Sequence, residues 1–133
     1  MIPVSLINLI CDYSTEYKLR QEISLDKIDW GQLSHNTNDG VVNLLLKNQS
    51  KINWEWLSEN PNDRAVDFLL KNPSNIHWYR LSKNPNDKVV DFLRKNQSNI
   101  FWYCFSENPN IFVANDYKSK KINKILFKLK KII

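Results

Sequence analysis

Residues 52–63 read Ile-Asn-Trp-Glu-Trp-Leu-Ser-Glu-Asn-Pro-Asn-Asp, and versions of this stretch recur through the central part of the chain. The copies are 24 residues apart, which is clearest from the tryptophans that open them: Trp30, Trp54, Trp78 and Trp102. A fixed period of this length is typical of repeat proteins, in which each unit buries its apolar face only by stacking on its neighbours. The chain is therefore predicted to be a linear array of four 24-residue units.

The Asn-Pro-Asn-Asp block is predicted to begin a long helix in each unit. In the second unit Asn60 is the expected N-cap, Pro61 the first helical residue, and Asp63 the residue that bonds back to the cap. The residues that follow place apolar side chains on one helical stripe, with the members Ala65, Val66, Phe68 and Leu69, repeated as Val89, Val90, Phe92 and Leu93. The helix is expected to end at Lys71 and Asn72, with the asparagine in the left-handed conformation.

A shorter helical segment, α or 3₁₀, is predicted between successive long helices, over residues 52–58 and their equivalents. Its tryptophan is expected to pack in the core. Its serine is expected to end the segment, at Ser34, Ser58, Ser82 and Ser106. Residues 28–117 then form four helix-pair units, which together make a small all-α solenoid. The fourth unit is expected to decay, because Asp116 and Tyr117 replace the apolar residues of the long-helix stripe.

Both flanks of the array are predicted to be helical, and the whole chain to form one compact domain. Residues 1–27 depart from the 24-residue period, and a helix within residues 2–10 followed by a second over residues 15–24 is interpreted as an N-terminal cap. Residues 118–133 are predicted to form a basic amphipathic C-terminal helix. Its apolar stripe has helical spacing and consists of Ile122, Ile125, Leu126, Leu129, Ile132 and Ile133.

The 133-residue chain has a net charge of +5 that is unevenly distributed. Residues 118–133 contain seven lysines and no acidic residue, which leaves residues 1–117 with 12 basic and 14 acidic groups and a net charge of −2. Binding to nucleic acid or to an anionic membrane would therefore depend mainly on the C-terminal segment.

Cysteine usage and the N-terminus favour an intracellular protein that is neither secreted nor inserted in a membrane. The two cysteines, Cys11 and Cys104, have no metal-type spacing and do not suggest a disulfide framework. The apolar run within residues 2–10 lacks a preceding basic segment and is too short to span a bilayer. With two glycines and two histidines, the sequence offers no phosphate-binding loop and no nucleophile–base pair. A non-enzymatic protein without cofactor or metal is predicted.

The side of each short helix opposite its tryptophan differs most between units, and it is the predicted partner-binding surface. The side chains there that most often dominate binding energy at protein interfaces are Trp56, Tyr79, Arg80 and Tyr103. A second interpretation is that Trp56 packs against a neighbouring unit or the N-terminal cap. The main functional prediction is a protein–protein interaction module.

Three roles are open for the C-terminal helix. Its apolar stripe can cap the last unit, or the helix can lie on an anionic membrane. Alternatively, its lysine face can bind nucleic acid or act as a nuclear-import signal, through Lys120, Lys121, Lys124, Lys128 and Lys131. Phe127 lies among these lysines on the helical wheel, which neither capping nor membrane binding explains. A nucleic-acid-associated protein is the second functional prediction.

The repeat over residues 28–117 resembles the short Trp-x-x-Leu-Ser-x-Asn-Pro repeats of proteins encoded by giant DNA viruses of protists. This resemblance implies a viral origin and a host-directed interaction role, in the host cytoplasm or nucleus or in the virion. The 24-residue period is also similar to that of leucine-rich repeat variant proteins, which alternate 3₁₀- and α-helices but lack the tryptophan. Residues 2–13 are similar to the opening helix of F-box motifs, which implies, as a third function, recruitment of a ubiquitin-ligase adaptor.

Overall fold

The computed structural model describes residues 17–112 and 117–132, with side chains in the second range given from residue 122 onward. These residues are helical or irregular and contain no strand, so the predicted all-α class is confirmed. The α-helices in chain order are α1 (Trp30–His35), α2 (Asp39–Lys47), α3 (Trp54–Glu59), α4 (Asp63–Leu70), α5 (Trp78–Leu81), α6 (Asp87–Lys95), α7 (Trp102–Phe105) and α8 (Tyr117–Lys130). Short 3₁₀-helices lie at Leu25–Lys27, Gln49–Lys51, Pro73–Asn75, Gln97–Asn99 and Pro109–Ile111.

Each complete unit consists of a short α-helix, a long α-helix and a 3₁₀-helix that leads into the next unit. The short helices α1, α3 and α5 pack on one another in series, and the long helices α2 and α4 pack alongside them. The core between the two layers is built from fully buried leucines of both, namely Leu45, Leu57, Leu69, Leu81 and Leu93. This arrangement confirms the small helical solenoid. The 3₁₀-helix is an addition to the predicted helix pair.

The long helices begin two residues later than predicted. The N-cap is the second asparagine of the block, because the Asn62 side chain accepts hydrogen bonds from the backbone N–H groups of Arg64 and Ala65. Asp63 is therefore the first helical residue rather than the third, and Pro61 precedes the cap. The first asparagine, Asn60, is fully buried and has a different role.

The first asparagines form a ladder of hydrogen bonds between units. The Asn60 amide donates to the carbonyl oxygens of Ser34 and Asn36 in the preceding unit, both at 2.9 Å. In the next unit, Asn84 donates to the carbonyls of Ser58 and Asn60 at 3.0 and 2.9 Å. Asn108 continues the ladder with a 2.7 Å bond to the Asn84 carbonyl. These buried amides fix the distance and register between successive units.

The serine column forms a second ladder. Ser82 and Ser106 end their short helices as predicted, whereas in the first two units the serine does not end its helix. Ser34 and Ser58 lie inside their helices, and each hydroxyl donates to the carbonyl of the tryptophan four residues earlier at 2.7 Å. The same oxygens accept from backbone N–H groups of the following unit, at Asn53 (3.1 Å) and His77 (3.0 Å). Each of these buried hydroxyls therefore joins two units and has both its hydrogen-bonding functions occupied.

The asparagines that end the long helices do not adopt the predicted left-handed conformation. Asn48, Asn72 and Asn96 have φ values of −133°, −123° and −126°. Their side chains instead donate to the carbonyl oxygen four residues earlier, at distances of 2.8 to 2.9 Å. This bond satisfies one of the carbonyls that a helix end leaves unpaired, so the left-handed turn is not needed.

The tryptophan column is half-buried rather than fully buried. Trp54 and Trp78 lie at the edge of the core, where their rings stack on Phe68 and Phe92 with centroids 5.6 and 5.9 Å apart. Trp102 is 57% exposed. Trp102 has no phenylalanine equivalent to Phe92 to stack on, because the residue 24 positions after Phe92 is an aspartate.

The N-terminal flank differs from the prediction wherever the structure describes it. Residues 17–24 contain a turn but no helix, so the helix predicted over residues 15–24 is wrong there. The apolar Tyr17, Leu19 and Ile23 are all exposed and do not share one helical face, which leaves such a helix without the buried stripe that would stabilise it. The helix predicted within residues 2–10, including the F-box-like segment, lies outside the described residues.

Gly40 marks the contact between this flank and the first unit. A Cβ atom at Gly40 would stand 2.8 Å from the Tyr17 Cβ and 2.9 Å from its carbonyl oxygen. The equivalent residues of the next units are Arg64 and Lys88, whose side chains reach back to the long helix of the preceding unit. In the first unit Tyr17 of the N-terminal segment lies beside this position, and only glycine leaves room for it.

The C-terminal end matches the prediction in outline. After α7 the fourth unit has a 3₁₀-helix at Pro109–Ile111 in place of a long helix through residue 112. Helix α8 begins one residue before the predicted boundary, and its apolar side chains are about half exposed. The stripe is therefore not buried in this structure. None of the described helices combines the length and apolarity needed to cross a membrane.

Candidate protein-interaction surface

The predicted surface lies along the stacked short helices, at the first, second and fifth residues after each repeat tryptophan. We call this row the ridge. Its members in chain order are Gly31, Gln32, His35, Glu55, Trp56, Glu59, Tyr79, Arg80, Lys83, Tyr103, Cys104 and Glu107. The direct packing of α1 on α3 and of α3 on α5 brings residues from separate units into contact along the ridge.

Trp56 lies between two neighbouring units. Its ring meets the His35 ring edge-on at a centroid distance of 5.5 Å. On the other side the guanidinium carbon of Arg80 stands 4.5 Å from the centre of the indole. Of the two interpretations of Trp56, the structure therefore shows the packing of its ring against neighbouring units. The ring remains part-exposed on the ridge.

Arg80 joins this aromatic contact to two carboxylates of the preceding unit. Its guanidinium is 3.0 Å from the Glu55 carboxylate and 2.8 Å from that of Glu59. Hydrogen bonds to Glu59 and then Glu55 raise the pKa of the Arg80 side chain, so the group stays charged. With 23% of its side chain exposed, Arg80 fixes the geometry of the ridge more than it offers a free cation.

In the last three units the second residue after the tryptophan faces the adjacent short helix, whereas Gln32 in the first unit is exposed. Trp56 and Arg80 show this position occupied by inter-unit contacts, and Cys104, its equivalent in the last unit, is 1% exposed. The whole side of each short helix opposite its tryptophan was predicted to be open, and the burial of Cys104 shows that this is wrong at the second position of the last unit. In these three units the ridge position that is open throughout is the first after the tryptophan.

The first positions of the last two units carry tyrosines, which are the exposed part of the predicted site. Tyr79 is 37% exposed and Tyr103 is 80% exposed. Lys83 lies with its ammonium 4.7 Å from the centre of the Tyr79 ring. A side-chain hydrogen bond with Tyr79 raises the pKa of Lys83, so a positive charge stays beside the ring.

Phe101 belongs to this surface and was missed by sequence reasoning. It is 50% exposed, and its ring meets the Tyr79 ring edge-on at 5.6 Å. Phe101 occupies the position that caps the short helix in the other units, where the side chains of Asp29, Asn53 and His77 accept a backbone hydrogen bond. Helix α7 has no such bond. An aromatic residue in a column of capping residues was the signal in the sequence.

Tyr79, Phe101 and Tyr103 together form what we call the aromatic patch. Its three rings come from the last two units, and its exposure contrasts with the packed contacts of Trp56 and Arg80. The ridge thus has two parts, a packed middle and an exposed aromatic end.

The lysines of the second functional prediction are exposed where the structure describes their side chains. Lys124 and Lys128 lie on α8, and Lys131 follows it with its ammonium 4.6 Å from the centre of the Phe127 ring. The side chains of Lys120 and Lys121 lie outside the described part. The described residues bring together no group of three or more side chains suited to a metal ion.

Comparisons with known proteins return no match, whether against protein-family models, curated proteins or solved structures. The geometry of the described residues therefore carries the functional argument.

Proposed function

We propose that the protein is a non-enzymatic interaction module that binds a protein partner through the aromatic patch. The observation that carries this proposal is the exposure of Tyr79, Phe101 and Tyr103 in the last two units, with the rings of Tyr79 and Phe101 in edge-on contact. Aromatic side chains contribute disproportionately to protein–protein binding because they bury a large area with few rotatable bonds. Exposed rings in two adjacent units offer such a contact area to a partner.

The packed middle of the ridge supports this proposal by holding the patch in place. Arg80 is fixed by Glu55, Glu59 and the Trp56 ring, and it directly follows Tyr79 in the chain. A rigid, pre-formed surface loses little conformational entropy when a partner binds, which favours affinity. In this proposal Trp56 and Arg80 position the patch, whereas Tyr79 and Tyr103 contact the partner.

We also propose the setting that the repeat resemblance implies, a virus-encoded protein acting inside a host cell. The composition, rich in asparagine and lysine and with two glycines, supports an AT-rich coding sequence of the kind found in such viruses.

The proposal is tested by affinity purification of the full chain from a host-cell lysate treated with nuclease, followed by binding measurements with the purified partner. Replacing Tyr79 and Tyr103 by alanine should weaken binding by at least about thirtyfold, since the loss of even one such aromatic contact costs about 2 kcal/mol or more. The matched control is Phe112→Ala, because Phe112 has the same 80% exposure as Tyr103 but lies outside the patch.

Equal affinity of the tyrosine variant and the original chain, with circular dichroism confirming an intact fold, would contradict the proposal. Recovery of partners only without nuclease would instead favour the nucleic-acid prediction.

A further inference from the structure

Helix α8 exposes an apolar face that no part of the described structure covers. Its side chains on this face are 49% to 56% exposed and have the three- and four-residue spacing of one helical stripe: Ile122, Ile125, Leu126 and Leu129. Ile132, just beyond the helix, continues the stripe and is 80% exposed. Contiguous exposed aliphatic side chains of this kind mark an interaction surface.

The opposite face of the same helix is basic. Lys124, Lys128 and Lys131 lie there at helical spacing and are all exposed. No acidic residue occurs anywhere in residues 118–133 to neutralise them. A partner that satisfies the whole helix must therefore both cover aliphatic side chains and supply negative charge.

We infer that α8 binds the surface of an anionic lipid membrane, lying in its plane. Acyl chains would cover the stripe, while the acidic headgroups of the same leaflet would surround the lysines. The helix has 14 residues and is about 21 Å long, too short to cross a hydrocarbon core of about 30 Å. A nucleic acid would neutralise the lysines but leave the stripe in water. The inference is independent of the aromatic patch.

Phe127 provides a control position within the helix. It lies on the lysine side, 62% exposed, with the Lys131 ammonium over its ring. Because it is opposite the stripe on the helical wheel, it would stay outside the acyl region. Removing this aromatic ring should leave membrane binding unchanged, although it is as apolar as the residues of the stripe.

The experiment measures co-sedimentation of the full chain with vesicles of phosphatidylcholine alone and of phosphatidylcholine with 30% phosphatidylserine. Binding is expected only to the vesicles that contain phosphatidylserine. Leu126→Gln with Leu129→Gln should weaken it roughly tenfold or more, since two apolar side chains no longer leave water. Lys124→Gln with Lys128→Gln should weaken it on the order of twentyfold, as expected for two lysines near an anionic surface. Phe127→Gln should have no effect.

Thermal unfolding and DNA binding of the same variants test two alternatives, that the stripe packs on the array and that the lysines bind nucleic acid. The melting temperature is expected to be unchanged in the leucine variant; a fall of several degrees would show that the stripe packs on the array and would overturn the inference. Failure to bind either vesicle would also overturn it, as would DNA binding that depends on the lysines but not on the leucines. Vesicle binding that persists in the Tyr79→Ala, Tyr103→Ala variant is expected, because the patch has no part in it.

Discussion

Asn84 shows how a single polar side chain holds two units together. Its amide donates to two carbonyl oxygens of the preceding unit, and its own oxygen accepts from the Asn86 backbone N–H at 3.0 Å. The two donated bonds are buried and the accepted bond is part-buried. None of the buried side-chain polar atoms in the described residues lacks a partner. Full satisfaction is what makes such a buried amide stabilising rather than costly.

Replacing Asn84 by alanine is expected to lower the free energy of unfolding by roughly 3 kcal/mol or more, because it leaves three backbone groups without a partner. The measurement is guanidinium denaturation followed by circular dichroism. The matched control is Asn72→Ala, which removes one part-buried bond, to the Phe68 carbonyl, and should cost about 1 kcal/mol. Equal losses of unfolding free energy in the two variants would show that the inter-unit ladder contributes no more to stability than a single hydrogen bond within one unit.

The role of these asparagines could not be read from the sequence, although their importance could. Asn60 and Asn62 are both good N-caps, and the proline between them favoured the first by its preference for the start of a helix. The choice is made by contacts of Asn60 with residues 24 and 26 positions earlier. Such contacts exist only once the units have stacked. Local sequence preferences do not contain them.

The short helices owe their stability to stacking, since α5 and α7 have only four residues each. Isolated helices of this length do not persist in water. In α1, α3 and α5 the side chain of the N-cap residue accepts a backbone hydrogen bond and stabilises the helix start, whereas the N-cap of α7 is Phe101, which cannot. A residue that gives up a local stabilising contact in one unit and exposes an apolar ring is typical of a functional position.

Phe101→Asn is expected to raise the free energy of unfolding by about 0.5–1 kcal/mol, because it restores a helix cap. The same change should weaken binding of the protein partner by at least about tenfold, since it removes one ring of the patch. Chemical denaturation and titration with the purified partner measure the two effects. Asn53→Asp, which exchanges one good cap for another outside the patch, should alter neither. A loss of stability in Phe101→Asn would assign the ring to packing instead.

Elements with a clear apolar period were predictable, and those without one were not. The long helices carry the stripe of Val89, Val90 and Leu93 in their sequence, and all three are buried. The 3₁₀-helix at Pro73–Asn75 has no buried residue and no capping side chain, so it leaves no periodic signal. Over residues 17–24 good helix-forming residues were misleading because no apolar face accompanies them.

The array as a whole is expected to be most stable in its middle and least stable at its C-terminal end. Stability in a stacked array is close to a sum of unit and interface contributions, and the fourth unit has neither a long helix through residue 112 nor a capped short helix. Trp102 at this end is 57% exposed because the stacking partner of the earlier units is missing.

Native-state hydrogen exchange should therefore show backbone amides of α7 exchanging at least about tenfold faster than those of α3, since local opening at an end breaks fewer contacts. Amides of α3 and α4 should exchange near the rate set by global unfolding. Uniform protection from α3 to α7 would mean that the chain unfolds as a single cooperative unit.

For the molecule as a whole, the sequence predicted the architecture well and the site in part. The period of the tryptophans was sufficient for the solenoid. The exposed positions of Tyr79 and Tyr103 also followed from the helical wheel. The contacts of Arg80 with the preceding unit could not be predicted, because they form only when α5 packs on α3. Whether a side chain between two helices is exposed or covered is decided only when the helices pack.

The two hydrogen-bond ladders connect side chains of one unit only to the backbone of a neighbouring unit, the preceding one for the asparagines and the following one for the serines. Their geometry is therefore indifferent to which side chains occupy the outward positions. A gene encoding such a protein can gain, lose or exchange whole 24-residue segments by recombination without a fresh solution to packing at each junction. Insertions of any other length would interrupt both ladders. Binding specificity can thus diverge quickly on a scaffold whose internal connections stay the same.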